Sequence, residues 1–209
     1  MIAPHLCPLP GPAAAFAAGL RAGLPTLRTA RLILRAPVLE DAPHWISILS
    51  PDDEGHLGGP HTEDEAFTEF AATCGLWLLR GHGLCTVTDH AGAVLGFVLI
   101  WFEPGDREPE LGWLFLPQAR GQGYSAEAAA CLRDHGFVAL GRDRLISYID
   151  PGNAASIRLA QRLGAALEGE VDGAQVWVHR KGAVAQRMPV SQTSAIRKPY
   201  VNHTSKRGD

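Results

Sequence analysis

The chain has 209 residues, is 46% hydrophobic and carries a formal net charge of −3, enough to bury one substantial core but short for two domains. No apolar run reaches the ~18–20 residues that span a bilayer, and the apolar stretch 13–20 lacks a basic lead segment, so neither a membrane span nor a secretory leader is expected. Residues 183–209 hold five Lys/Arg against one Asp, which leaves −7 on residues 1–182. That balance argues against nucleic acid as a partner, and an anionic ligand must be held by local amides rather than by the general field of the protein.

Residues 1–25 are rich in Ala, Pro and Gly and are expected to form a disordered extension, residues 26–182 a single domain, and residues 183–209 a disordered basic tail. Residues 31–38 alternate as a first strand. Asp41 is placed to cap a short helix through Ser50, with Pro43 tolerated in its first turn. Residues 52–61 form a polar, Gly-rich loop. Thr62-x-x-Glu65 is a capping box, and Phe67, Phe70, Ala71, Cys74 and Leu78 are expected to face inward on the helix that follows. Residues 84–88 and 94–102 read as strands joined by a hairpin at Asp89-His90-Ala91-Gly92, and residues 110–116 as a buried strand. Residues 126–140 are strong helix formers, 144–149 a strand, and 166–171 and 174–179 a final hairpin turning at Asp172-Gly173. The order is α+β with a mixed sheet. Cys7, Cys74, Cys85 and Cys131 are scattered with no Cys-x-x-Cys pair, so free thiols and a reduced, cytoplasmic protein are expected.

Two segments carry chemistry. Arg120-Gly121-Gln122-Gly123-Tyr124-Ser125 lies between a strand and an Ala-rich helix, where two glycines let backbone N–H groups converge at the positive end of a helix, a phosphate-binding arrangement. A tight turn alone would also use such a pair. The second segment is Asn153-Ala154-Ala155-Ser156-Ile157-Arg158-Leu159-Ala160-Gln161-Arg162-Leu163-Gly164. Asn153 is a good N-cap and Gly164 a good stop, while Asn153, Ser156, Leu159, Ala160 and Leu163 share one face. Read alone, Asn153 is equally a plain cap and Ser156 a small residue at the core edge.

Together these segments resemble the GNAT N-acetyltransferase superfamily, whose phosphate loop reads Arg/Gln-x-x-Gly-x-Gly/Ala. Arg120, Gly123 and Ser125 occupy its defined positions, with Ser125 in place of the usual Gly or Ala. Arg31-Leu32-Ile33-Leu34-Arg35, Glu110-Leu111-Gly112-Trp113 and Asn153-Ala154-Ala155-Ser156 are similar to the RimJ/RimL branch, which modifies protein N-termini. Gly164-Ala165 departs from the usual Gly followed by an aromatic. The resemblance covers residues 27–180. It implies a mixed, mainly antiparallel sheet with helices on both faces, splayed at a cleft that takes acetyl-coenzyme A as co-substrate.

By that resemblance, the backbone of Trp113, Leu114 and Phe115 pairs with the pantetheine arm. Arg120, Gly121, Gln122, Gly123, Tyr124, Ser125 and Ala126 hold the pyrophosphate, Asn153 bonds the pantetheine, and Ser156 lies near the thioester sulfur. Acyl transfer needs a neutral amine, a donor to the oxyanion and a donor to the departing thiolate. Ser156 is the candidate donor to sulfur, because Ala160 stands where many members carry a tyrosine acid. Glu110 is the candidate base, acting through water, with a strand-edge carboxylate as its alternative; Glu103 and His82 are weaker candidates. His56 and His61, five residues apart in a loop, make no metal signal, and no metal is expected.

The expected function is N-acetyl transfer to a primary amine, either a protein N-terminus or a small molecule, in a ternary complex. The alternatives are a noncatalytic acyl-CoA-binding domain and a binder of another phosphate ligand. The last is remote, because Ala126 stands where a dinucleotide fingerprint needs its third glycine. The loop 52–62 and the final hairpin are expected to line the acceptor side, with Asp52, Asp53, Glu54 and Glu63 favouring a cationic amine. No nucleic acid or membrane partner is expected, and a homodimer stays open.

Overall fold

A computed structural model describes residues 3–50, 56, 59–102, 106 and 108–182. Glu103, the acidic run Asp52, Asp53 and Glu54, and the tail from residue 183 lie outside them. The strands are β1 (Leu27–Arg28), β2 (Leu32–Arg35), β3 (Leu84–Asp89), β4 (Val94–Trp101), β5 (Glu110–Phe115), β6 (Arg144–Ile149), β7 (Ala166–Val171) and β8 (Ala174–Arg180). They form one sheet in the order β1-β2-β3-β4-β5-β6-β8-β7, antiparallel at every pair except β5–β6. The expected mixed, mainly antiparallel α+β sheet is the observed one.

The helices are α1 (Pro12–Ala22), α2 (Ala42–Leu49), α3 (Glu63–Arg80), α4 (Tyr124–Ala139) and α5 (Ala154–Arg162). They cover both faces. Phe97 of β4 packs edge-on against Trp45 of α2 and Phe70 of α3. Ile100, three residues on and so on the opposite face, meets Gly136 of α4 so closely that an added Cβ would lie 2.5 Å from its Cδ1. A glycine in mid-helix costs about 1 kcal/mol relative to alanine, and here it brings α4 down onto the sheet. Side chains of α5 pack beside α4, with Leu159 and Leu163 against Ala129.

Three sequence expectations are corrected. The segment before β1, expected to be disordered, forms a 3-10 turn that buries Leu6 and then α1, an alanine-rich helix with proline in its first turn and no buried residue. Asp41 does not cap α2 with its side chain. Its carboxylate is buried and accepts from both Arg35 Nη atoms (2.7 and 2.9 Å), Val38 N (2.8 Å) and Thr86 Oγ1 (2.7 Å), tying β2 and β3 to the entrance of α2. The capping box of α3 forms as expected, and of the residues expected to face inward Phe70 is buried and Phe67 and Cys74 are half-buried against the core. Ala66, Thr73, Leu76 and Trp77 complete that face, whereas Ala71 and Leu78 are exposed. All four cysteines are free thiols, and burial pushes those of Cys74 and Cys85 up to about 12, which makes them inert.

Candidate active site

The site grows from the parallel pair. β5 and β6 are in register only at Glu110 and Ile146, and beyond that point they diverge. Side chains bridge the opening in place of the missing ladder: Tyr148 N donates to Glu110 Oε1 (3.1 Å) and Ser147 Oγ donates to Leu111 O (2.6 Å). Ser147 has one proton and gives it to Leu111, so the contact of 3.0 Å to His179 is a donation from His179 Nε2–H. His179 lies at 1% exposure, and burial, with the Arg133 charge adding to it, lowers its pKa to about 4. It is a neutral imidazole under the fork.

Past the fork opens a cavity of about 270 Å³. Its walls include Trp113 and Leu114 of β5, Ser147, Tyr148 and Asp150 on the β6 side, and Asn153 and Ser156 at the start of α5. Backbone groups of one strand residue point to one side, and the side alternates. Leu111 O faces β6, and Leu116 N bonds Leu95 O on β4. Trp113 and Phe115 therefore present N–H groups to the gap, whereas the Leu114 amide turns to β4. Of the three residues expected to offer amides, Leu114 lines the cavity without doing so.

At the far end of β5 a 3-10 turn, Pro117–Ala119, leads into the glycine loop. Gly121 and Gly123 have φ of +76° and +80°, values that an L side chain rarely adopts. Gly123 is the N-cap of the 16-residue α4, whose first N–H groups at Tyr124, Ser125 and Ala126 lack intrahelical acceptors. A Cβ at Gly121 would meet nothing within 4 Å, so the space beside that glycine is open. Arg120 Nε donates to Phe115 O (3.0 Å), which holds its guanidinium beside the end of β5.

The loop has a brace that sequence reading missed. Arg31 donates to Gln122 O (3.1 Å), pairs with Glu127 Oε2 (2.7 Å) and stacks over the Tyr124 ring at 4.7 Å. Thr29 Oγ1 adds a bond to Glu127 Oε1 (2.5 Å). Burial works to raise the Glu127 pKa, but the bonds from Thr29 and Arg31 outweigh it and hold the carboxyl below its usual range. A carboxylate in the first turn favours the helix but opposes a phosphate there; Arg31 neutralises it.

Asn153 caps α5, its Oδ1 accepting from Ser156 N (3.0 Å), which leaves the two amide N–H groups to spare. Ser156 Oγ accepts from Trp113 Nε1 (3.1 Å). The cap reading of Asn153 is the observed one, and both residues also line the cavity. Glu110 also lines the cavity. His82 does not join them: it is buried elsewhere with Nδ1 2.9 Å from Ile100 O, and burial lowers its pKa. Glu63 lies exposed in the first turn of α3, away from the cavity lining. Instead Glu69, Asp150 and His56 line the cavity with Trp45 and Trp101. His56 Nδ1 lies 3.4 Å from Asp150 Oδ1, which holds His56 at the cleft. Glu69 was legible only with the correct phase of α3. Among the described residues no group of His, Cys, Asp or Glu could hold a metal, and no helix is long and apolar enough to cross a membrane.

Comparison with known proteins agrees with this geometry. The model of the acetyltransferase (GNAT) domain matches residues 31–166. An uncharacterized N-acetyltransferase of Bacillus subtilis, YnaD, is 30% identical over 76 residues, which span 36% of this chain and 45% of that relative. The crystal structure of an acetyltransferase from Agrobacterium tumefaciens superposes with a TM-score of 0.72 at 32% identity, covering 76% of this chain and 96% of the other. RimL, a ribosomal L7/L12 alpha-N-protein acetyltransferase solved with coenzyme A, shares the fold at a TM-score of 0.63 and 17% identity, over 77% of this chain and all of that one.

Proposed function

Because the chain belongs to the GNAT acetyltransferase family, we propose that it moves an acetyl group from acetyl-coenzyme A to a primary amine, with both bound at once. The observation that carries this reading is the order of features along β5. A fork between parallel strands opens beside two inward N–H groups, and β5 runs on from it to a loop with positive-φ glycines at the start of a long helix. A long ligand with an anionic end and a reactive thioester fits such a path.

Bound acetyl-coenzyme A would supply the activated acyl group. Amides of residues 121–126 and the Arg120 guanidinium hold the pyrophosphate. The N–H groups of Trp113 and Phe115 pair with the pantetheine and polarise the thioester carbonyl, and the Asn153 amide N–H groups bond the arm. An ammonium acceptor first gives one proton to water held by Glu110. The freed lone pair then forms the N–C bond as the C–S pair leaves on sulfur, which takes a hydrogen bond from Ser156 and then, through solvent, the second proton that nitrogen releases. Glu69, Glu110 and Asp150 around the cavity favour an acceptor that arrives as an ammonium ion, and the four free thiols fit a reducing compartment.

One observation favours the alternative of a domain that binds acyl-CoA without turnover. Glu110 Oε1 already bonds the Tyr148 amide, a structural task that needs no catalysis. Thiol release from acetyl-CoA across a panel of peptide N-termini, polyamines and aminoglycosides separates the two. Amine-dependent release supports transfer. Binding of acetyl-CoA with no release from any amine would leave only the binding domain.

A further inference from the structure

We propose that the indole N–H of Trp113 is a positioning group for the Ser156 hydroxyl, holding its proton free for the departing sulfur; this rests on the acetyltransfer reading above. Three hydroxyls in helix interiors elsewhere in the molecule bond their own backbone. Ser47 Oγ donates to His44 O (2.8 Å), Thr68 Oγ1 to Asp64 O (2.8 Å), and Thr73 Oγ1 to Glu69 O (2.9 Å) and Phe70 O (2.8 Å). Each gives its single proton to a carbonyl three or four residues back, the usual local bond of such side chains. A hydroxyl so engaged has nothing left to donate to a ligand.

Ser156 is arranged differently. Its backbone N–H is fixed by Asn153 Oδ1, and its Oγ receives the Trp113 Nε1–H at 3.1 Å. Among the described residues it donates to no oxygen. One lone pair is therefore occupied from the β5 side, while the proton stays available toward the cavity that Ser156 lines. The indole is half-buried. It packs against the cluster of Ala129, Leu159 and Leu163 and against that of Ile149, Ala160 and Trp177, and it meets His179 edge-on at 6.3 Å and 88°. A rigid donor fixes its acceptor, and preorganised donors act where charge develops in the transition state. Trp113 thus serves the site twice, by a backbone amide directed at the gap and by a side chain that orients the serine.

The test uses the full chain, with Trp113→Phe, Ser156→Ala and the double variant. We expect Trp113→Phe to lower kcat about 5-fold or more while the Kd for coenzyme A stays within about 2-fold. In the Ser156→Ala background the same change should have no further effect on kcat, because the group it orients is gone. Equal losses in both backgrounds, or a loss confined to coenzyme A affinity, would overturn the proposal. A readout independent of turnover is the indole ¹H–¹⁵N signal of Trp113 in wild type and Ser156→Ala. An unmoved signal means no bond and overturns the proposal even where Trp113→Phe fails to fold. A wild-type protein that releases no thiol with any amine defeats the acetyltransfer reading and the catalytic role together. The indole signal then separates that outcome from a missing bond.

Discussion

Acidification tests the floor of the fork. His179 is buried and neutral, with a pKa lowered to about 4 by burial first and by the Arg133 charge second, and in the unfolded chain it returns to about 6.5. Between those two values the unfolded state binds a proton that the folded state refuses, so stability falls as pH falls. It is intact above pH ~6.5 and lost progressively down to pH ~4. Linkage between the two values gives about 2 kcal/mol lost from pH 7 to pH 5 and about 3 kcal/mol by pH 4. The informative variant is His179→Gln, which keeps an N–H in reach of Ser147 Oγ and carries no charge at either pH. Urea unfolding at pH 7 and pH 5 should show a decline for the variant that is smaller than wild type by about 2 kcal/mol. Parallel declines in the two proteins would refute a buried, neutral His179.

Acetyl-CoA should raise the melting temperature, and Gly123→Glu should abolish the shift. Gly123→Ala, equally strained at φ +80° but without the carboxylate, should retain part of it, and an unchanged shift in Gly123→Glu would place the phosphates elsewhere. Asn153→Ala should weaken coenzyme A affinity and cost about 1 kcal/mol in denaturant unfolding as a lost cap; unaltered affinity would confine Asn153 to capping. For Glu110→Gln, kcat/KM should be depressed most below the pKa of the amine and recover as pH rises. A uniform deficit at all pH values would mean that Glu110 serves the fork through Tyr148 and moves no proton.

The strands from β2 onward were legible because their residues alternate or run apolar between turn residues, whereas the two-residue β1 was not read, and the capping box of α3 formed as its Thr62 and Glu65 require. The phase of α3 was legible only in part, because apolar residues lie on both sides of it. Leu78 and Leu79 are 71% and 81% exposed, while Thr73 is buried. Thr73 is tolerated inside because its hydroxyl bonds the carbonyls of Glu69 and Phe70. Asp41 was misassigned for the same kind of reason: a local cap was expected, and a tertiary pair with Arg35 won. In the site, the glycine loop and the Asn153 cap are local in sequence and could be read. The Trp113–Ser156 and Arg31–Glu127 pairs join residues 43 and 96 apart. No periodicity encodes such a pairing; it exists only once the sheet has set the distance between the elements.

The Arg31 brace also has a consequence for the order of assembly during translation. Arg31 leaves the ribosome 96 residues before Glu127, and at roughly 5–20 residues per second the wait is on the order of 5–20 s. During that interval β2 can pair with β3, and β3 with β4, since neither pairing requires α4. The glycine loop is translated later, and its brace forms only when Arg31, beside a strand already folded, meets Gln122 and Glu127. The nascent domain should therefore gain its sheet before it can hold a nucleotide, and ligand capture becomes a signal that the two halves of the chain have met.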